Sequence, residues 1–399
     1  MDMRRILISG ASVAGPALAH WLHRYGFEVT VVERAPAPRG GGYAVDFRGA
    51  SLEVLRRMGV LDELRAVETG MGETRYVDAA GRRIASMPAV AFSGELEVLR
   101  GDLVEVLHRR TAGVVEHLFG DSVTGLTEDA DGVRVTFENA APRTFDLVVG
   151  ADGLHSNVRG LVFGPEREHV HELGFYASVF TTANHLGLDR TGVFHNSPGR
   201  IAGLYSARHN TEAKAVFYFA ADPLTYDRGD VARQRELVAE AFAGQGWEVP
   251  RLLAAMADAP DFYFDSVSQV RMASSTRGRV ALVGDAGYCA SPLSGMGTSL
   301  ALVGAYVLEG ELAAAGGDHR VAFPEYERRL RDFALRCRRQ AVDSARWFVP
   351  RTRAGLWLRD LNYRMMTVLP TGGLVARMAL KVANAITLED YRGAAVVQP

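Results

Sequence analysis

Gly10, Ser12 and Gly15 belong to a turn of small residues, in ILISGASVAGPALAHWL, that follows an apolar run and precedes a predicted helix. Two chemistries use these residue types at nearly this spacing. A Gly-x-Gly-x-x-Gly turn holds a nucleotide pyrophosphate, because glycine lets the phosphate approach the backbone and the helix N-terminus attracts it. A Gly-x-Ser-x-Gly elbow instead presents a nucleophilic serine. The turn departs from both patterns, since Ser12 replaces the middle glycine of the first and Ala14 the last glycine of the second.

The elements around this turn favour nucleotide binding. RRILIS predicts a strand, AGPALAHWLHRYG predicts a helix, and FEVTVVER predicts a second strand ending at Glu33. This arrangement is typical of dinucleotide-binding units, in which a carboxylate after the second strand accepts the ribose hydroxyls. The nucleophile hypothesis needs a sheet before the serine, whereas Ser12 follows the first strand. The predicted cofactor-binding residues here are Gly10, Ser12, Val13, Ala14, Gly15, Glu33 and Arg34.

A second loop of this kind lies in RVALVGDAGYCASPLSGMGTSLALVGA, residues 279–305. A buried strand is predicted to end at Gly284 and Asp285, and a loop rich in proline and glycine then opens a long helix at about Thr298. Such a loop offers backbone amides to a phosphate or a flavin edge, and an aspartate can bind a sugar-chain hydroxyl. The predicted binding residues of this loop are Asp285, Pro292, Gly295, Met296, Gly297 and Thr298.

These motifs together resemble those of the FAD-dependent aromatic hydroxylases, the group A or 4-hydroxybenzoate hydroxylase-like flavoprotein monooxygenases. The second loop resembles their Gly-Asp motif, and DLVVGADGLHSNVR, residues 146–159, resembles the Asp-Gly motif that serves FAD and NAD(P)H. RGGGYAVDFRGASLEVLRRMGVL is closest in pattern to the tetracycline-inactivating members. The resemblance adds four residues to the predicted FAD site, namely Asp46, Arg100, Val123 and Asp152.

Three positions depart from the family pattern. Tyr288 replaces a histidine that often follows the Gly-Asp motif, and Ser299 replaces an asparagine. Gly304 stands where the family usually has an acid. None of these changes removes the backbone contacts on which FAD binding depends, so we expect the cofactor to be retained.

The resemblance implies an α/β fold: a Rossmann-like FAD-binding domain of the GR2 type, an inserted and mainly antiparallel β substrate domain, and C-terminal helices. It also implies a reaction in which NAD(P)H, with NADPH favoured, reduces FAD and O₂ then forms a flavin C4a-hydroperoxide. That adduct hydroxylates an aromatic or polyketide-like small molecule, so the cofactor carries the chemistry and no catalytic side chain is assigned. A closed, largely apolar pocket is then required to exclude water.

Aromatic-rich strands between residues 174 and 271 predict the wall of that pocket. The predicted FAD-binding domain comprises residues 1–75, 98–173 and 272–322, the substrate domain residues 76–97 and 174–271, and the helical region residues 323–399. The candidate pocket residues are Tyr176, Tyr205, Phe217 and Phe219.

Composition limits the possible partners of this 399-residue chain. A formal net charge of −2 argues against nucleic acid, which requires a basic surface. Two cysteines cannot form a disulfide framework, and the longest apolar helical stretch carries Glu309 and Glu311 and is too short for a membrane span. His169 and His171 have no third ligand nearby in sequence, so no metal site is predicted. We expect a cytoplasmic monomer or homodimer without integral membrane association.

Two alternatives remain open at this stage, and a third lacks its signature motif. A flavin halogenase would carry a Trp-x-Trp motif, whereas no two tryptophans of this chain lie two residues apart. A flavin-dependent reductase or dehydrogenase on the same fold would saturate or oxidise its substrate rather than insert oxygen. A non-enzymatic protein that holds flavin and sequesters a hydrophobic ligand is compatible with the substitutions at Tyr288, Ser299 and Gly304.

Overall fold

The computed structural model describes residues 5–38, 40–88, 94–368 and 380–393, and it has the predicted α/β architecture. The strands are β1 (Arg5–Ser9), β2 (Glu28–Glu33), β3 (Ala44–Phe47), β4 (Thr74–Val77), β5 (Arg83–Met87), β6 (Leu96–Leu99), β7 (Glu116–Phe119), β8 (Val123–Glu128), β9 (Val133–Phe137), β10 (Arg143–Phe145), β11 (Leu147–Gly150), β12 (Val170–Thr182), β13 (Gly192–Ser197), β14 (Arg200–Ala207), β15 (Glu212–Ala220), β16 (Tyr263–Val270), β17 (Thr276–Arg277) and β18 (Val280–Leu282). The α-helices are α1 (Ala14–Arg24), α2 (Ala50–Met58), α3 (Leu61–Arg65), α4 (Arg100–Thr111), α5 (Asn157–Phe163), α6 (Val231–Phe242), α7 (Val249–Ala257), α8 (Asp285–Tyr288), α9 (Gly297–Ala314), α10 (His319–Phe348) and α11 (Arg353–Val368).

The first sheet has the strand order β17-β18-β11-β1-β2-β7, and all its pairings are parallel except that of the edge strand β17. Its central strand β1 is buried on both faces, which explains the uninterrupted apolar run of Ile6, Leu7 and Ile8. Because the carboxyl ends of β1, β11 and β18 meet at one edge, the loops that follow these strands converge there.

The second sheet has seven strands in the order β16-β12-β15-β14-β13-β4-β5 and is antiparallel except between β13 and β4. The aromatic-rich strands predicted between residues 174 and 271 belong to this sheet, which also includes β4 and β5 from residues 74–87. Strand β4 begins at Thr74 and β12 at Val170, so both strands begin inside ranges predicted for the FAD-binding domain.

The two faces of the seven-stranded sheet pack against different parts of the chain. One face forms a hydrophobic core with α6 and α7, to which Phe217 and Phe242 belong. The opposite face packs partly against the C-terminal helices, through residues such as Val349 and Tyr363. Since side chains alternate along a strand, neighbouring residues of β15 serve different faces.

The long helices α9 and α10 pack against each other and join the two sheets. Helix α9 is buried over most of its length, and its Glu309 is fully buried, which its charged type did not predict. Helix α10 begins at His319, four residues before the predicted helical region, and ends at Phe348. Among the described residues, no helix combines the length and the apolar character needed to cross a membrane.

Candidate functional site

The first loop after β1 requires glycine at two positions because backbone atoms leave no room for a side chain. Gly10 has a φ of 110°, and a Cβ there would lie 2.5 Å from the carbonyl oxygen of Ala151. A Cβ at Gly15 would lie 1.9 Å from the carbonyl oxygen of Gly10. Helix α1 begins at Ala14 with no side chain capping its N-terminus, so the loop presents free backbone N–H groups to an anion.

Glu33 lies directly beside this loop at the end of β2. Its Oε2 accepts a hydrogen bond from the backbone N–H of Ala11 at 2.9 Å, and its Oε1 accepts one from the backbone N–H of Ala35 at 2.9 Å. Arg34, the next residue, is exposed. A buried carboxylate next to an uncapped helix N-terminus is the donor and acceptor set that the adenosine ribose and pyrophosphate of FAD require.

The surroundings of Ser12 do not favour its activation as a nucleophile. Arg100 Nη1 donates to Ser12 Oγ at 3.1 Å, and a guanidinium does not accept a proton in this role. Arg100 also lies against the chain at Gly42, where a Cβ would be 2.6 Å from its Nε. The hydrogen bond therefore supports the nucleotide interpretation of this loop over the nucleophilic one.

The second loop meets the segment that contains Asp46. Helix α9 begins at Gly297, again without a side-chain cap or an acidic residue in its first turn. A Cβ at Gly295 would lie 3.8 Å from Asp46 Oδ1, and one at Gly297 would lie 3.9 Å from Asp285 Oδ1. Asp285 lies deep in the molecule with its side chain open to a cavity, and desolvation raises its pKa above the ordinary aspartate value.

One cavity of about 370 Å³ connects these two loops with the seven-stranded sheet. Its glycine end is lined by residues 12–14 and by the loop that contains Gly295, Gly297 and Thr298. Its aromatic end is lined by Phe194, Tyr205, Val216 and Tyr218 of β13 to β15. The predicted site residues that line this cavity are Ser12, Val13, Ala14, Asp46, Arg100, Tyr205, Asp285, Pro292, Gly295, Gly297 and Thr298.

Three predicted cofactor residues have other surroundings. The Asp152 carboxylate accepts hydrogen bonds from Ser156 Oγ at 2.5 Å and from the backbone N–H of Val158 at 3.0 Å, and it thus orders the start of α5. Val123 is buried in a hydrophobic core at the start of β8. Met296 is buried in the core that α1 and α9 share and precedes the first residue of α9.

Three of the four predicted pocket residues face away from the cavity. Tyr176, Phe217 and Phe219 belong to the hydrophobic core beneath α6 and α7. The prediction was wrong for these three residues. On β15, side chains alternate between the two faces of the sheet, and Val216 and Tyr218 line the cavity instead of Phe217 and Phe219. For Phe217 and Phe219 the register of β15 decides, because the run AKAVFYFA carries large side chains at both parities. Tyr176 lies on β12, where Val179 lines the cavity instead.

Further residues that were not predicted as site residues also line the cavity. Phe348, the last residue of α10, lines the aromatic end and packs edge-to-face on Tyr218 with ring centroids 5.3 Å apart. Tyr43 lines the cavity near Asp285, and burial raises its pKa to about 12. Glu97 also faces the cavity from β6. Phe348 comes from a distant helix, and Tyr43 and Glu97 come from short strands and loops. The residues around them in the sequence therefore do not indicate that they line a cavity.

The departures from the expected motif are compatible with one another. A Cβ at Gly304 would lie 1.8 Å from the Tyr288 hydroxyl oxygen, so the tyrosine occupies the space that a side chain at position 304 would need. The Tyr326 hydroxyl donates to the carbonyl oxygen of Leu282 at 2.8 Å and lies within hydrogen-bond distance of the Tyr288 hydroxyl, at 3.1 Å. Gly304, Tyr288 and Tyr326 do not line the cavity.

Comparison with known proteins agrees with the geometry of the two loops. Residues 3–340 match the family described as FAD binding domain. The uncharacterised protein Rv1260 of Mycobacterium tuberculosis is 50% identical over 396 residues, which are 98% of this chain and 100% of that protein. A flavin-dependent monooxygenase of Legionella longbeachae is 36% identical over 391 residues, covering 97% of this chain and 98% of its own.

A solved structure shows the same fold over almost the whole chain. The crystal structure of tetracycline destructase Tet(55) superposes with a TM-score of 0.84 at 38% identity, covering 98% of this chain and 99% of that one. The fold that carries the two glycine loops and the aromatic sheet is therefore shared with that protein.

Proposed function

Because the chain belongs to the FAD-binding-domain family of flavin-dependent monooxygenases, we propose that it uses NAD(P)H, with NADPH favoured, and O₂ to hydroxylate an aromatic or polyketide-like small molecule. The observation that carries this proposal is the continuous cavity that runs from the two glycine loops to an aromatic wall. A related protein, Tet(55), is named for the destruction of tetracycline, which supports a fused-ring substrate.

The glycine end would hold FAD. The first turn of α1 and Gly10 would contact the pyrophosphate, and Glu33 would accept the ribose hydroxyls. Arg100 and Asp285, which line the cavity farther along, would contact the flavin ring and its sugar chain. Bound FAD supplies the redox chemistry that transfers oxygen, and the protein's contribution is orientation and shielding.

The aromatic end would orient the substrate and exclude water. Tyr218 and Phe348 already form an edge-to-face pair. A planar substrate ring can therefore pack against this pair without a change in either side chain. Phe194 and Val216 add apolar surface on neighbouring strands. Excluding water protects a reactive oxygen donor from hydrolysis, which a polar, open site would not do.

The reductant of the cofactor would be an NAD(P)H molecule that binds transiently rather than a second, permanently bound nucleotide. The described residues contain one strand–glycine turn–helix–strand unit ending in a carboxylate, and Glu33 completes it. We infer that NAD(P)H binds at the surface, donates its hydride and leaves.

The test is incorporation of labelled oxygen. Holoenzyme reduced with NADPH and supplied with ¹⁸O₂ and a panel of phenols and fused-ring aromatic compounds should yield a product with one labelled oxygen atom. A product that gains two hydrogen atoms would show a reductase instead. NADPH oxidation that releases only hydrogen peroxide with every compound would contradict the proposed hydroxylation.

A further inference from the structure

Two carboxylates face the cavity from one small ladder. Strands β3 and β6 pair antiparallel, with Asp46 directly opposite Glu97. Residues that pair directly have side chains on the same face, and both of these line the cavity. Their neighbour Val98 is buried in the core, and Val45, which is also buried, borders the same cavity.

The two carboxylates differ in their partners. Arg48 Nε lies 2.9 Å from Asp46 Oδ2, so the charge of Asp46 is balanced. Glu97 receives one neutral hydrogen bond, from Thr69 Oγ1 to its Oε1 at 2.5 Å. Within the described part of the chain, no arginine or lysine forms an ion pair with Glu97. The charged groups that act on it are Asp46, which opposes its ionisation, and Arg48, which favours it.

Glu97 lies toward the aromatic end of the cavity. Glu97 and Tyr205 line the same cavity, and the charge of Glu97 contributes to the raised pKa of Tyr205. The Tyr205 hydroxyl accepts a hydrogen bond from the backbone N–H of Ala44 at 3.0 Å and so joins β14 to the β3–β6 ladder. An acidic group that lines the same cavity can contact a ligand bound against the aromatic wall.

We propose that Glu97 is a specificity-determining residue whose carboxylate binds a protonated amino group on the aromatic substrate. This inference rests on the proposed function, since it names the substrate class of the same cavity. A partly buried carboxylate without a cation has lost hydration that no ion pair restores, and a ligand cation supplies the missing partner. Neutral and anionic aromatic compounds provide no cation for the Glu97 carboxylate.

The pH dependence follows from the surroundings of Glu97. Desolvation raises its pKa to about 7, so it is charged above that pH and neutral below it. An alkylammonium group stays protonated across this range. The preference for a cation should therefore be present at about pH 8.5 and weaken at about pH 5.5.

Matched probes separate charge from shape. Tyramine, 4-ethylphenol and 3-(4-hydroxyphenyl)propionate are a cationic, a neutral and an anionic phenol of similar size, and their binding to oxidised holoenzyme is read from the flavin absorbance change. At about pH 8.5 the wild type should bind tyramine about tenfold more tightly than 4-ethylphenol, and the propionate most weakly. Glu97→Gln should abolish the tyramine preference, so that the ratio of the Kd values for 4-ethylphenol and tyramine falls to about one.

Glu95→Gln is the matched control, since Glu95 is an exposed carboxylate two residues away in the chain and should keep the preference. A tyramine preference that survives in Glu97→Gln, or wild-type protein that binds no tyramine or prefers 4-ethylphenol, would overturn the assignment. The two proposals can fail separately. Protein that binds tyramine selectively but inserts no oxygen contradicts only the function, and a hydroxylase indifferent to the amine contradicts only the role of Glu97.

Discussion

The glycine end of the cavity is built from backbone atoms of two loops, whereas the aromatic end is built from side chains of separate strands. At the glycine end, Gly10 and Gly15 are fixed by close approaches to carbonyl oxygens, and uncapped helix N-termini supply the N–H groups. At the aromatic end, Tyr218 and Phe348 come from a strand and a helix more than a hundred residues apart in the sequence.

This difference determines which substitutions each end tolerates. A site built from backbone atoms depends on positions that have no room for a side chain, so a single added methyl group changes it. A side-chain-built site is specified by which residues a strand turns inward, so its composition can change while the fold persists. We therefore expect cofactor binding to be sensitive at a few glycines and ligand choice to be adjustable at many positions.

The largest effect is expected from Gly15→Ala. Its Cβ would lie 1.9 Å from the carbonyl oxygen of Gly10, and neither backbone segment can move without displacing β1 or α1. The purified protein should therefore carry no retained FAD, measured as flavin absorbance per chain. Gly160→Ala is the control, because Gly160 lies in α5 with nothing within 4 Å of the added carbon. Normal FAD content in Gly15→Ala would contradict the backbone account of this end.

The next largest effect separates the two faces of β15. Phe219→Ala removes a ring from the core beneath α6 and α7 and should lower the free energy of unfolding by about 3–5 kcal/mol. Tyr218→Ala, one residue earlier, opens the cavity wall and should cost less stability but weaken binding of 4-ethylphenol. Chemical denaturation and the flavin absorbance titration measure the two quantities. Equal losses of stability with unchanged binding in both variants would contradict the parity assignment.

The glycine end could be predicted from sequence because its determinants are local. Gly10, Gly15 and Glu33 fall within one strand–helix–strand unit, and Asp285 and Gly297 fall within one loop. Each of these positions follows from a turn or helix start that the surrounding residues encode. The parallel sheet followed for the same reason, since a strand buried on both faces is an uninterrupted apolar run that the sequence shows directly.

The aromatic end could not be predicted because its determinants are long-range. Tyr176, Phe217 and Phe219 were chosen as aromatic residues on the right strands, but their side chains point to the other face. Register along a strand depends on the partner strand, and a shift of one residue exchanges the faces. Strand β13, which contributes Phe194, pairs in parallel with the distant β4, so neither its partner nor its role is encoded nearby.

A moderate effect is expected from Glu33→Ala. The substitution removes the acceptor for the proposed ribose hydroxyls and also leaves without an acceptor the N–H groups of Ala11 and Ala35, which donate to Glu33. Hydrogen bonds to a charged group contribute about 1.5–3 kcal/mol, so the Kd for FAD should rise about 10- to 150-fold. Glu28→Ala, at the exposed start of the same strand, should leave the Kd unchanged. A retained wild-type Kd in Glu33→Ala would remove this residue from the site.

The smallest effect is expected from Ser12→Gly, which restores the glycine of the common nucleotide-binding pattern. The substitution removes the hydrogen bond that Arg100 Nη1 donates at 3.1 Å, and such a bond contributes about 1 kcal/mol or less when water can replace it. FAD affinity should stay within about fivefold and labelled-oxygen incorporation should persist. Ser12→Ala serves as the control that removes the hydroxyl without adding backbone freedom. Loss of turnover in both variants with FAD still bound would mean that the hydroxyl takes part in the chemistry, and the glycine end would then be more than a backbone cradle.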